Sequence, residues 1–309
     1  MRTVLVTGTT GFIGRHLLRW LASEGNRVTS LQRSAELLPG VSETLRAPIF
    51  SASNVRSALA GRRFDWVFHL SAYGVRPEER DIEPMFRVNV DVTRELVEAA
   101  SGWPAKAVVI ASTGSEYRLE RVDGPVTEDS PLETSKLYGA SKAAATITAL
   151  SIARSLRLPC AVARIFNVYG PGEAEYRLFP SLVRHLSRAQ RAPLSKGDQL
   201  RDFLFVADVV EALGAIAQAL ESSASPAQLA LNLSSGRPTP IRDFALAVAR
   251  ELKASPELLG FGDLPMRPDE VHCFSGDPSR LRAFAQWTPR YTVACGIREG
   301  LQQLKETVR

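Results

Sequence analysis

The chain reads as an α/β protein, a doubly wound parallel sheet with a smaller, mostly C-terminal second domain. Three observations lead there. Short β-rich runs alternate with helical stretches through the first half. Those runs are almost continuously apolar, as suits strands covered by helices on both faces. After about Asn167, glycine and proline break the rhythm, at Gly170-Pro171-Gly172, Pro180, Gly197 and Gly236.

Taken in order, strands are expected at 4–7, 28–31, 66–70, 107–111 and 161–166, and helices at 11–24, 53–60, 92–100 and 138–156. Two later helices stand out, at 206–220 and 241–252. The second has Thr239 as a candidate N-cap and Pro240 at its first helical position. A dinucleotide-binding domain is expected over 1–166 and a substrate domain over 167–309, with some later segments packing back on the first sheet. Ser222-Ser223-Ala224-Ser225 reads as a surface loop.

A length of 309 residues allows one large or two ordinary domains. With 45% hydrophobic and 23% charged residues, a disordered or collagen-like chain is excluded. No apolar run approaches the roughly eighteen residues of a membrane span. Residues 2–7 run straight into a strand pattern with no apolar targeting core, so a cytoplasmic protein without membrane contact is expected. Three widely spaced cysteines, Cys160, Cys273 and Cys295, support neither a disulfide framework nor a metal site. The net charge of +5 is scattered rather than striped, so no nucleic-acid partner is expected. Arginines facing anionic small molecules account for the excess equally well.

Thr7-Gly8-Thr9-Thr10-Gly11-Phe12-Ile13-Gly14 joins the first strand to the first helix. Glycines there permit a tight turn and let backbone N–H groups approach a pyrophosphate. The helix N-terminus behind them favours the anion. The strand before and the helix after are the context such a motif requires. The GxxGxxG spacing, with Phe12-Ile13 between the last two glycines, resembles the extended short-chain dehydrogenase/reductase superfamily. Its members are the NAD(P)-dependent nucleotide-sugar epimerases, dehydratases and reductases, on a Rossmann sheet. The resemblance implies cofactor contacts from Gly8, Thr10, Gly11, Phe12, Ile13 and Gly14, and from Leu70, Ser71 and Ala72 after the 66–70 strand. At the end of the second strand Gln32 stands where NAD-using relatives carry an acid, and Arg33 follows. An arginine there accommodates the extra phosphate of NADP. NADP is the expected cofactor and NAD the alternative. The Gly-Asp that often ends the third strand of relatives is here Ala47-Pro48.

Tyr138 and Lys142 lie four residues apart at a helix start, hence on one face. Hydride transfer at an alcohol or ketone requires a partner for the hydroxyl proton, and a nearby ammonium lowers the pKa of a phenol. In the family this chain resembles, the lysine also holds the nicotinamide ribose. Matching Tyr117 to the family's Val-Tyr-Gly tyrosine makes Thr113 the third catalytic residue and a substrate contact. Ser112 is the substitute if the register slips by one. Glu116 and Arg118 stand where relatives usually have Val and Gly. Gly114-Ser115 occupies the positions of the Asp-Glu pair of 4,6-dehydratases, so elimination of water lacks its carboxylates. Asn89 and His69 read as structural.

The segment Arg164-Ile165-Phe166-Asn167-Val168-Tyr169-Gly170-Pro171 is similar to the family's substrate segment. The resemblance, which runs from Thr3 to about Gly300, assigns the nucleotide diphosphate to Asn167, Arg201 and Arg267. It implies hydride transfer at a sugar carbon, C4 by analogy. Two chemistries are open: an NADPH-dependent 4-keto-sugar reductase, towards which Gln32-Arg33 leans, and a 4-epimerase with tightly bound NAD. A non-catalytic NADP-binding scaffold is the third, less favoured because the Tyr-Lys pair is intact. Leu96, Val97, Ala144, Ile147 and Thr148 form an apolar face that either covers the sheet or joins two copies. Relatives pair these helices, which implies a homodimer.

Overall fold

Val4, Leu5 and Val6 have no solvent exposure, so β1 (Thr3–Thr7) is covered on both faces. These and the following elements belong to a computed structural model that describes residues 1–103, 105–119, 124–266 and 270–307. The chain leaves β1 through a tight turn into α1 (Phe12–Ser23), then forms β2 (Arg27–Gln32), β3 (Glu43–Arg46), α2 (Ala52–Leu59) and β4 (Trp66–His69). Next come α3 (Ile82–Phe86), a π-helical turn at Arg87–Asp91, α4 (Val92–Ser101) and β5 (Ala107–Thr113). A 3₁₀ turn at Gly114–Glu116 precedes α5 (Leu137–Ser155) and β6 (Cys160–Ile165). Then follow β7 (Asn167–Tyr169), α6 (Leu178–Leu186), β8 (Ala192–Leu194), β9 (Leu200–Phe205), α7 (Val206–Ser222) and β10 (Gln228–Leu233). The last elements are β11 (Pro238–Pro240), α8 (Ile241–Leu252), β12 (Leu259–Phe261), β13 (Cys273–Phe274), α9 (Ser279–Ala285) and α10 (Val293–Thr307).

The main sheet has seven parallel strands in the order β10-β6-β5-β4-β1-β2-β3. Strand order reverses between β1 and β4, and sheets of this kind bind ligands at the carboxyl ends beside that switch point. Leu17 and Leu21 of α1 and Val209, Leu213 and Ile216 of α7 cover one face. Val55 of α2, Leu96 and Val97 of α4 and Ala149 and Ala153 of α5 cover the other. A separate core around Tyr169, Phe179, Phe203, Phe205 and Phe244 holds the remaining elements together. There β9 lies between β11 and β13, with β7 also paired to it, while β8 pairs with β12.

The doubly wound sheet expected from the alternation is present, with differences that have physical reasons. The strand Glu43–Arg46 escapes the apolar pattern, because this short edge strand buries only Leu45; only the resemblance, which ends a third strand at Ala47-Pro48, pointed to it. The seventh strand, β10, comes from the C-terminal half and pairs with β6 from Gln228↔Cys160 to Leu233↔Ile165. Thr239 does not cap α8: its hydroxyl donates to the Arg237 carbonyl, and Pro240 is the capping residue, closing a short strand against β9. Leu96 and Val97, expected on a face that covers the sheet or joins two copies, are 1% and 0% exposed and belong to the core. Among the described residues no helix is long and apolar enough to cross a membrane.

Candidate active site

The crevice begins at the glycine turn. Gly8 has φ +73°, and a Cβ there would lie 2.7 Å from the Leu70 carbonyl carbon. One at Gly14 would collide with the Gly8 carbonyl oxygen. The turn therefore folds back on itself, with the Gly11 N–H donating to the Gly8 carbonyl at 3.0 Å. Thr10 and Gly11 are exposed, Phe12 and Ile13 half-buried, and no side chain caps the start of α1. Uncapped N–H groups at a helix N-terminus suit an anion.

Beneath the turn lies a buried relay. Thr7 Oγ1 accepts from the N–H groups of Leu70 and Ser71, each at 3.2 Å, and donates to His69 Nδ1 at 2.7 Å. His69 Nε2 donates in turn to Thr93 Oγ1 at 3.0 Å, whose hydroxyl donates to the Asn89 carbonyl. Burial, helped by the Lys142 charge, pushes the His69 pKa down to about 3, so the ring is neutral. His69 is structural, and its relay holds half-exposed Leu70, Ser71 and Ala72 against the glycine turn. Asn89 is structural too. It brackets the Tyr73 backbone at 2.9 and 3.0 Å and donates to Ser141 of α5 at 3.0 Å.

At the end of β2, Gln32 is 6% exposed and its amide is fully engaged. Oε1 accepts from Thr9 and Ser30, both at 3.0 Å, and Nε2 donates to the Glu36 carbonyl at 2.5 Å. Arg33 is exposed, and its carbonyl accepts from Arg46 Nε at 3.4 Å. The register Gln32↔Arg46 thus brings a second exposed arginine to the end of β2, next to the Arg33 backbone. Arg46 escapes a sequence reading because only the pairing of β2 with β3 brings it here.

Tyr138 and Lys142 share one face at the start of α5. Lys142 is 2% exposed and donates from Nζ to the Ala111 carbonyl of β5 at 3.1 Å. Burial lowers its pKa to about 8 against the opposing charge of Glu116. The Tyr138 phenol is pushed up to about 12, chiefly by burial; Arg177 pulls it down, and Glu116 and Glu79 push it further up. The expected acidification by Lys142 is not what sets this phenol, since burial outweighs the charges around it. Thr113, half-buried, accepts the Ser115 N–H at 3.1 Å and so caps the 3₁₀ turn, which leaves its own proton free to donate. Ser112 does not join it. Strand alternation turns it to the opposite face, where its hydroxyl donates to Glu116.

On the substrate side, Asn167 is half-buried and donates from Nδ2 to the Asp202 carbonyl at 3.3 Å. Arg201 is not a free cation of the cleft. It pairs with Glu270 and donates to the carbonyls of Leu200 at 2.8 Å and Val271 at 3.0 Å, the two paired side chains being 13% and 17% exposed. Arg267 lies outside the described residues. Sequence reasoning also missed Arg177 and Glu173. Burial pushes Glu173 up to about 8, and its Oε2 has no hydrogen-bond partner among the described residues. No group of His, Cys, Asp or Glu among the described residues could hold a metal.

A doubly wound sheet with a glycine turn at its switch point and a Tyr-x-x-x-Lys pair beside the neighbouring strand end defines a class of dinucleotide-dependent enzymes. The chain belongs to the NAD dependent epimerase/dehydratase family, whose model matches residues 4–232. It is 30% identical over 315 residues to a UDP-glucose 4-epimerase of Mycolicibacterium smegmatis, covering 96% of each chain. It is 28% identical over 310 residues to the dTDP-6-deoxy-L-talose 4-dehydrogenase (NAD(P)(+)) of Kitasatospora kifunensis, covering 96% of this chain and 93% of that one. Among solved structures it is similar to MoeE5 in complex with UDP-glucuronic acid and NAD, with a TM-score of 0.83, 30% identity and 99% of both chains covered. The chain is thus an enzyme of this nucleotide-sugar family.

Proposed function

We propose that this enzyme is an NADPH-dependent reductase of a 4-keto nucleotide sugar. The observation that carries the reading is the ribose edge. Gln32, standing where relatives carry an acid, is consumed internally, and Arg33 and Arg46 are two exposed arginines suited to an additional phosphate. Bound at the glycine turn, the dinucleotide supplies the hydride. Gly8, Thr10, Gly11, Phe12, Ile13 and Gly14 would hold its pyrophosphate, and Leu70, Ser71 and Ala72 would hold the rest. Tyr138, a neutral phenol, gives its proton to the sugar oxygen, the direction of transfer that reduction requires. Thr113 donates a hydrogen bond to the same oxygen. Lys142, anchored by the Ala111 carbonyl, holds the nicotinamide ribose. Asn167 contacts the nucleotide diphosphate, Arg267 assists, and Arg201 joins them by exchanging Glu270 for phosphate oxygens.

The M. smegmatis relative and the NAD in the MoeE5 structure favour a second reading, a 4-epimerase in which Tyr138 first takes a proton and later returns it. Incubating the purified protein with NADPH or NADH and a panel of 4-keto nucleotide sugars separates the two. Consumption of NADPH supports the reductase. Protein that arrives carrying NAD, ignores NADPH and interconverts C4 epimers of a UDP-hexose overturns it.

The same proposal includes a homodimer through α5, where Ile147 is 56% exposed and Ala144 and Thr148 are half-buried. Ile147→Asp should leave a monomer in sedimentation, and an unchanged mass would remove α5 from the interface. The cytoplasm is the proposed compartment, in keeping with three unpaired cysteines.

A further inference from the structure

Glu116, at the end of the 3₁₀ turn that follows Thr113, has no solvent exposure. Its Oε1 accepts from the hydroxyls of Ser112 and of Thr146, the latter at 2.6 Å, and its Oε2 accepts from Arg164 Nε at 2.7 Å. Those three donors sit on β5, α5 and β6. Thr146 continues the helical stripe of Tyr138 and Lys142 at four-residue spacing, so the carboxylate grips the face of α5 that carries the pair. Arg164, 3% exposed, spends Nη1 on the Tyr117 hydroxyl at 2.9 Å and the Glu128 carbonyl at 3.1 Å. Among the described residues its ion-pair partner is Glu116, and a buried guanidinium stripped of its carboxylate is costly.

The turn that bears Glu116 is fastened to α5 by its backbone as well. The Glu133 N–H donates to the Glu116 carbonyl at 2.7 Å, and Glu133 Oε1 accepts from the N–H groups of Thr134, Ser135 and Lys136 at the entrance to α5. Gly139, directly after Tyr138, lets the helix press on the turn; a Cβ there would collide with the Ser115 carbonyl oxygen. Charge follows the same geometry. The buried Lys142 ammonium has one hydrogen-bond acceptor among the described residues, the Ala111 carbonyl. The groups around it are Tyr138 on its own helix, neutral His69 from β4 and Glu116 from the turn, and Glu116 is the one that opposes its desolvation. Around Tyr138 stand Arg177 from the start of α6, Glu79 from the loop before α3, and again Glu116.

We propose that Glu116 is a positioning residue of the reaction centre: one buried carboxylate ties the helix carrying Tyr138 and Lys142 to the strand carrying Thr113 and places a negative charge in the buried layer that holds Lys142. The proposal rests on the reading of Tyr138 and Lys142 as the reacting pair. In this chain it gives a function to a carboxylate standing where the resemblance leads one to expect Val.

The test uses the full chain labelled with ¹⁵N-lysine. Among six lysines, the Lys142 ammonium signal is assigned by Lys142→Arg and its titration followed by NMR. Glu116→Gln should move the Lys142 midpoint down by roughly one pH unit. Thr146→Val removes a donor but keeps the charge, and should leave the midpoint in place. If Glu116→Gln fails to fold with Arg164 unpaired, Glu116→Gln/Arg164→Gln replaces the ion pair by two amides and should lower the midpoint in the same direction. A midpoint unchanged in the folded variant overturns the proposal. Turnover takes no part in the measurement, so its outcome is separate from that of any test of Tyr138 as the proton donor.

Discussion

The two walls of the crevice treat their polar groups in opposite ways. On the cofactor wall the groups that would meet a ligand are exposed: Thr10, the start of α1, Arg33, and Arg46, whose Nε reaches only the Arg33 carbonyl among the described residues. The residues behind them, Thr7, His69, Thr93 and Gln32, are saturated with internal hydrogen bonds. On the substrate wall Arg201 already has an internal anion in Glu270, and Asn167 already donates to a carbonyl. In the proposed reading one wall is a preorganised socket, and the other would exchange an internal partner for an external one. Preorganisation favours tight, uniform binding, whereas exchange makes affinity the difference between two pairings. That difference suits a common cofactor and a particular substrate.

Tyr138→Phe carries the largest expected effect: turnover should fall by roughly 10²–10⁴-fold with cofactor affinity retained. Unchanged function after loss of that hydroxyl would mean a binding scaffold rather than an enzyme. Arg33→Ala/Arg46→Ala should raise the KM for NADPH by about tenfold or more per arginine, a charge-assisted hydrogen bond being worth about 1.5–3 kcal/mol, and leave NADH unaffected. Equal changes for both cofactors would remove the phosphate-selective role of that edge. Glu270→Gln should have the smallest effect, a fall of a few-fold in the KM for the nucleotide sugar, because Arg201 loses its internal competitor. A rise in KM would instead make Glu270 the support that aims Arg201, and the substrate wall would then be preorganised as well.

What the sequence revealed of the site was local. The glycine turn and the Tyr138–Lys142 pair are patterns within a few residues, read directly from spacing. Arg46 needed the register of β2 with β3, and Glu270 needed a contact across 69 residues with Arg201. Glu116 gains meaning only once β5, α5 and β6 converge on it. The choice of Thr113 over Ser112 was within reach, because Val108 and Ile110 already mark the face of β5 that Ser112 continues. The acidity of the phenol was not, since burial by groups distant in sequence decides it. In the fold, continuous apolar strands announced themselves, while Glu43–Arg46, with a single buried leucine, showed no such run.

The late arrival of β10 has a consequence for biosynthesis. When a ribosome has released residues up to Phe166, six strands of the sheet can form, but the outer rim of β6 still lacks the neighbour that pairs along Cys160–Ile165. An open apolar rim of this kind invites pairing with another nascent chain. The hazard persists until Gln228–Leu233 emerges and Val209, Leu213 and Ile216 of α7 close over the strands. A fragment cut at Phe166 would keep that rim open, and is expected to aggregate more readily than the full chain.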